Sequence, residues 1–214
     1  MLCNGAVSAL SNGGLPASIA DWDLLLTDIR LATMRAGEAN YGTIEDGALA
    51  ILDGRIDWVG IQAELPNKHA AVRQSLAGRW LTPALVDCHT HLVFAGNRAT
   101  EFEARLNGAS YAEIAAAGGG IRSTVSATRE ATRDSLLAES SRRIVTMKRE
   151  GVATVEIKSG YGLDLDTEEA MLSVANQLGE RHGLAVSKTY LGAHATPPDY
   201  AGSKAEYIRF LVNE

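Results

Sequence analysis

The sequence predicts an α/β protein in which a small β unit precedes alternating β/α units. Three observations carry this expectation. Short apolar runs separated by turn signals fill the stretch from Trp22 to Trp80. After Gly78, extended apolar segments alternate with segments of helical character. Several of the chain's histidines then fall at the C-terminal ends of those extended segments, as catalytic groups do in β/α folds.

Residues 1–20 are rich in Ala, Ser, Gly and Asn without any period, and read as a loosely ordered start. Residues 21–80 form the β unit. Asp23–Ile29 and Gly47–Leu52 are candidate strands, and Arg55–Val59 returns with apolar alternation. Asp53-Gly54 between the last two is a two-residue hairpin turn, because both positions tolerate positive φ.

Residues 81–214 carry the β/α pattern. Leu85–Asp87 reads as a short buried strand, and segments 101–117 and 133–150 read as helices. Ala153–Lys158 is a strand ended by Ser159-Gly160. An amphipathic helix over 167–182 follows, capped by Asp166 or Thr167, with acids in its first turn and Gly183 as its stop. Leu184–Leu191 is the next strand, and a last helix begins near Asp199. Three such strands cannot close an eight-stranded barrel, so the pattern allows a small open α/β domain or part of something larger.

Composition narrows the partners. The formal net charge is −6, which disfavours nucleic acid and anionic membrane as partners. Apolar residues make up 46% of the 214, enough for an ordinary globular core. No apolar run is long enough to span a bilayer, and the start lacks a basic-then-apolar leader pattern. Cys3 and Cys88 make no disulfide framework, so the cytoplasm is the expected location.

The strongest chemical signal is Pro83-Ala-Leu-Val-Asp-Cys-His89-Thr-His91. Side chains two apart on an extended chain point to one side, so His89 and His91 offer paired imidazoles, suited to zinc or iron. Cys88 between them faces the other way and reads as packing. His194 follows Thr189-Tyr-Leu-Gly-Ala and sits beyond another strand end, where capping a loop and chemistry are both open roles. Arg98 lies in the loop after the histidine pair, placed either to hold a carboxylate or to sit in solvent. Tyr161 stands between glycines in Ser159-Gly-Tyr-Gly162, a tight loop that exposes its phenol. His182, near a helix C-terminus, and His69 read as structural. Lys158, also at a strand end, has two open roles, carboxylation to bridge two metals and the cheaper one of pairing with an acid such as Glu156 or Asp164. Gly118-Gly-Gly120 follows a helix and lacks the residues of a nucleotide loop, so it reads as a flexible loop near the site mouth.

Taken together, several of these motifs resemble a known family. Asp53-Gly-Arg-Ile-Asp-Trp-Val-Gly60 and Gly78-Arg-Trp-Leu-Thr-Pro-Ala-Leu-Val-Asp-Cys-His-Thr-His91 resemble the entry of the amidohydrolase superfamily. Thr90-His-Leu-Val-Phe-Ala-Gly-Asn-Arg98, Gly118-Gly-Gly-Ile121, Glu156-Ile-Lys-Ser-Gly-Tyr-Gly-Leu163 and Thr189-Tyr-Leu-Gly-Ala-His194 are similar to its imidazolonepropionase family.

The resemblance implies a partial (β/α)8 TIM-like barrel behind the first part of a small β-sandwich-like domain. It implies hydrolysis of 4-imidazolone-5-propanoate to N-formimidoyl-L-glutamate, with one zinc or iron ion held by His89 and His91. It also implies that Arg98, Tyr161 and His194 contact this small-molecule substrate, with His194 catalytic. Family members are considerably longer, and the resemblance puts the remaining metal ligands and the proton-transferring carboxylate in a C-terminal half. The chain alone is therefore expected to be inactive, and a full-length form to be a homodimer. The alternatives are an aminohydrolase acting on another ring, and a catalytically inactive fragment.

Overall fold

A computed structural model of the chain describes residues 22–66 and 69–213. The expected loose start at 1–20, with Cys3, lies outside these residues. The described residues fall into two compact units, one running up to Pro83 and the other from Ala84.

The first unit is a four-stranded sheet. Its strands are β1 (Trp22–Ala32), β2 (Thr43–Leu52), β3 (Arg55–Ile61) and β4 (Ala70–Leu81), in the order β3-β2-β1-β4. The Asp53-Gly54 hairpin forms as expected: both residues take positive φ (50° and 73°), and Leu52 pairs with Arg55 across the turn. β4 was not anticipated. It pairs in parallel with β1, and its polar, largely exposed residues carry no strand period of their own. β1 is an interior strand paired on both edges, and neighbours such as Leu25 and Leu26, which point to opposite faces, are both buried. Trp22, Leu25, Ala48 and Ala50 form one apolar cluster, and Leu26, Ile29, Leu31 and Leu49 form another.

The second unit has a parallel three-stranded sheet of β5 (Leu85–Thr90), β6 (Val152–Lys158) and β7 (Ala185–Thr189), in that order. Its helices are α1 (Ala99–Leu106), α2 (Tyr111–Ala116), α3 (Ile121–Glu130), α4 (Arg133–Arg149), α5 (Leu165–His182) and α6 (Lys204–Asn213). The strand–helix alternation is as expected, and the whole is a mixed α/β chain.

Several details differ from the sequence reading. The helix expected over 101–117 is two helices, because Gly108 takes φ 94° and Ser110 starts afresh with a capping box to Glu113. α3 was not anticipated. Gly118–Gly120, read as a flexible loop, is tied down at its end, since Gly120 N–H and Ser123 Oγ both donate to Glu101 Oε1 at 2.9 and 2.8 Å. α5 begins two residues early, at Leu165. Its cap is Asp164, whose Oδ1 accepts from Thr167 N–H at 2.8 Å, rather than Asp166 or Thr167. Leu85 and Val86, read as buried, are 55% and 65% exposed, and Cys88, read as packing, is exposed too. β5 is an edge strand of its sheet, so these side chains have fewer neighbours than those of the central β6.

The core of this unit lies between the sheet and α4 and α5. Val155 and Ile157 of β6 meet Leu136 and Ile144 of α4 and Met171, Val174 and Leu178 of α5. At the C-terminus of α5, Gly183 takes the left-handed conformation (φ 63°, ψ 45°) and His182 Nε2 lies 3.0 Å from Ser141 Oγ, which gives His182 a structural contact. No described helix is long and apolar enough to cross a membrane.

Ile144 is fully buried in this core. Ile144→Ala is expected to lower unfolding free energy by about 2–5 kcal/mol. Urea denaturation of the variant beside the wild type measures it, and an unchanged midpoint would remove the α4–sheet contact from the account of the core.

Candidate active site at one edge of the parallel sheet

Parallel pairing places the C-terminal ends of β5, β6 and β7 at one edge of the sheet, and the segments leaving them bring four rings together. His89 is in β5 and His91 just beyond it, with ring centroids 5.7 Å apart. Tyr161 follows β6, and His194 ends a 3-10 turn, Gly192–His194, that follows β7. The His91 ring lies 4.6 Å from His194 and 5.1 Å from Tyr161, and the last two are 5.5 Å apart, edge to face. His91, Tyr161 and His194 thus form one cluster with His89 at its border.

The ends of the strands add charge. Glu156 and Lys158 lie two apart on β6 and so share a face, and Lys158 Nζ donates to Glu156 Oε1 at 2.6 Å. This is the first of the two acids expected for Lys158. The other, Asp164, pairs with Arg129 Nε at 2.9 Å. Thr189 Oγ1 donates to Glu156 as well. Burial alone raises the Glu156 pKa. The hydrogen bonds from Lys158 and Thr189, with the positive fields of Lys158 and His89, outweigh burial and bring it below the usual carboxylate value.

Burial also holds down the pKa of His91. The His194 ring adds to the effect, and a hydrogen bond with the Ser159 backbone opposes it. The neutral imidazole, the form that binds metals, is therefore favoured at His91 near neutral pH. His91 Nδ1 is buried with no hydrogen-bond partner.

That orphaned nitrogen and the neighbouring His89 ring fit two ligands of a metal site. Among the described residues, however, no group of three or more His, Cys, Asp or Glu side chains is arranged to hold a metal ion. The fit is to part of a site.

Arg98 is exposed in the segment between His91 and α1. Its Nε–H donates to Thr124 Oγ1 of α3 at 3.1 Å, so α3 steadies one side of the guanidinium. The backbone before it is held by Arg143 of α4, which donates to the carbonyls of Leu92 and Phe94 and stacks 3.6 Å over the Phe94 ring.

The two glycines flanking Tyr161 are required for different reasons. Gly160 has φ 115°, and a Cβ there would lie 2.9 Å from His194 Cβ. Gly162 lets the loop press on the start of α5, where a Cβ would lie 2.8 Å from both Glu168 N and Thr167 Cβ. Sequence reasoning missed Glu168, which counts there only as one more acid in a first turn. It is 1% exposed, and its carboxylate accepts from the N–H groups of Gly160, Gly162 and Leu163, each at 2.8 Å. A Gly-x-Gly loop followed closely by an acid in the next helix was the available signal. Arg143 was missed too.

No family model matches the chain. It is 56% identical over 191 residues to an imidazolonepropionase of Ralstonia nicotianae, covering 89% of this chain and 47% of the relative. An imidazolonepropionase of Cereibacter sphaeroides is 57% identical over 189 residues, covering 88% and 47%. The chain thus spans about half the length of the curated relatives it matches. Among solved structures, it is similar to 5-methylcytosine deaminase from Klebsiella pneumoniae liganded with 5-fluorocytosine. The TM-score is 0.53 at 18% identity, over 87% of this chain and 41% of the other, a likeness of fold.

Gly160→Ala is expected to force the Tyr161 loop and His194 apart and to cost about 1–3 kcal/mol of stability. Thermal unfolding, with NMR of the His91, Tyr161 and His194 ring protons, checks both. Unmoved ring resonances would mean that the close approach of Gly160 does not set the geometry of the cluster.

Proposed function

Because the chain belongs to the imidazolonepropionase family, we propose that, at the family's full length, it hydrolyses 4-imidazolone-5-propanoate to N-formimidoyl-L-glutamate in histidine degradation. The observation that carries this is the clustering of His91, Tyr161 and His194 at one sheet edge, in a chain sharing more than half its aligned residues with named imidazolonepropionases. On this reading residues 81–214 are the first β/α units of a (β/α)8 barrel, and residues 21–80 part of a small β domain. The partner is a small molecule, not nucleic acid or membrane, and the setting is a cytoplasmic homodimer.

His89 and His91 would hold one zinc or iron ion through their imidazole nitrogens. When bound, such an ion supplies Lewis acidity and an activated water near neutral pH. His194, whose ring lies 4.6 Å from that of His91, donates to the ring carbonyl oxygen of the substrate as charge builds on it. Arg98 pairs with the propionate carboxylate, and Tyr161 orients the substrate between the two loops. Among the described residues no third side chain joins His89 and His91 to complete a metal site, so the 214 residues alone are inactive on this reading.

The test uses a form of the chain extended with the remaining half of a curated relative. His89→Ala and His91→Ala are each expected to lower bound metal, read by elemental analysis, and to abolish loss of the imidazolone ring. Full metal content and activity in both variants would refute the assignment. In the same form, Arg98→Ala is expected to lower kcat/KM about ten- to a hundredfold, matching the roughly 1.5–3 kcal/mol of a charge-assisted pair. Arg98→Lys recovers part of this, because a point charge replaces a bidentate fork. Unchanged kcat/KM in both would make Arg98 a solvent-facing charge.

A further inference from the structure

We infer that Glu168 is a positioning residue that sets Tyr161 in the site through the backbone of its loop, an inference that rests on the functional reading above. A buried carboxylate is expensive unless its oxygens are satisfied. No described cation forms an ion pair with Glu168, and its partners are three backbone N–H groups: Gly160 on Oε2, and Gly162 and Leu163 on Oε1.

The loop needs these acceptors. Gly160 (φ 115°) and Leu163 (φ 58°) turn the backbone so that its amides face inward, where no strand or helix carbonyl receives them. A hydrocarbon side chain at 168 would fill the space and leave three buried donors unpaired. The position suits an anion as well, since it lies in the first turns of α5, behind the Asp164 cap.

The consequence reaches the site because two of the three amides flank Tyr161. The first, Gly160, also backs onto His194. Fixing Gly160 and Gly162 fixes the Tyr161 Cα, and with it the ring 5.1 Å from His91 and 5.5 Å from His194. Glu168 does not touch substrate on this account. It acts through Tyr161 by holding the loop in its working shape before substrate arrives.

Glu168→Gln separates this role from bulk packing. The amide keeps the shape, but one of its two ends becomes NH2 and faces an N–H donor whichever way it flips. The experiment uses the extended-length form. In the wild type, hydrogen exchange at Gly160, Gly162 and Leu163 is expected to be as slow as in the adjoining strand β6, although all three lie in a loop. Fast exchange there overturns the inference without any variant.

In Glu168→Gln, exchange at these amides is expected to quicken at least tenfold, and the NMR contact between the Tyr161 and His194 rings to weaken. Turnover of the imidazolone should then show a double-mutant coupling: Glu168→Gln lowers kcat/KM strongly with Tyr161 present and much less in a Tyr161→Ala background. An equal loss in both backgrounds overturns the positioning role and leaves Glu168 a fold-stabilising residue. If the wild type exchanges slowly but does not hydrolyse the imidazolone, the functional reading fails. The exchange and ring contacts of Glu168→Gln then decide by themselves whether the carboxylate places Tyr161.

Discussion

The parallel register of β5, β6 and β7 is the constraint on which the rest depends. Strands that run the same way finish on the same side, so the segments leaving them converge without any further device. His89 and His91, Tyr161, and His194 are far apart in sequence, yet each is within three residues of a strand end or in the short turn that follows one. Opposed strand directions would have scattered them to both ends of the sheet. The same register sets Glu156 opposite Ser187 and diagonal to Thr189, within reach of the Thr189 hydroxyl that donates to it. Val155 and Ile157 of β6 are buried against α4 and α5, and Glu156 and Lys158 alternate with them on the other face of that strand.

Around that edge the loops are held by hydrogen bonds from side chains to backbone. Arg143 holds the carbonyls of Leu92 and Phe94, Ser159 Oγ accepts from Leu191 N–H, and Tyr207 Oη donates to the Gly192 carbonyl at 2.6 Å. Burial pushes the Tyr207 pKa up to about 12, so its hydroxyl keeps the proton it donates. These groups come from α4, α6 and the neighbouring loop. The site's shape is therefore set by helices whose own residues sit outside the ring cluster.

The parts of this arrangement that are local were legible in the sequence. The Asp53-Gly54 turn, the His-x-His spacing and the glycines around Tyr161 are each set by a few adjacent residues, and each appears in the structure. The parts that depend on distant partners were not. β4 is a strand because β1 pairs with it, and its own Arg73, Gln74 and Ser75 give no apolar alternation. α3 hides for a related reason: its buried face is Thr124, Val125 and Thr128, too polar to register as a core stripe. The burial of Leu85, Val86 and Cys88 was misjudged because apolar composition says what a strand can pack against, while its place in the sheet decides what it meets.

The order of the first sheet bears on how the chain acquires it. β2 and β3 are joined by two residues and can zip within microseconds, whereas β4 must return to β1 after the whole hairpin has passed. β1 thus gains its second neighbour across the largest loop of the unit, and loop closure has to precede the reward of the ladder. Until that closure, β1 keeps one edge of backbone N–H and C=O groups unpaired. A nascent chain stalled before β4 would present that edge to its neighbours, so the vulnerability of this unit to aggregation is concentrated in one interval of its synthesis.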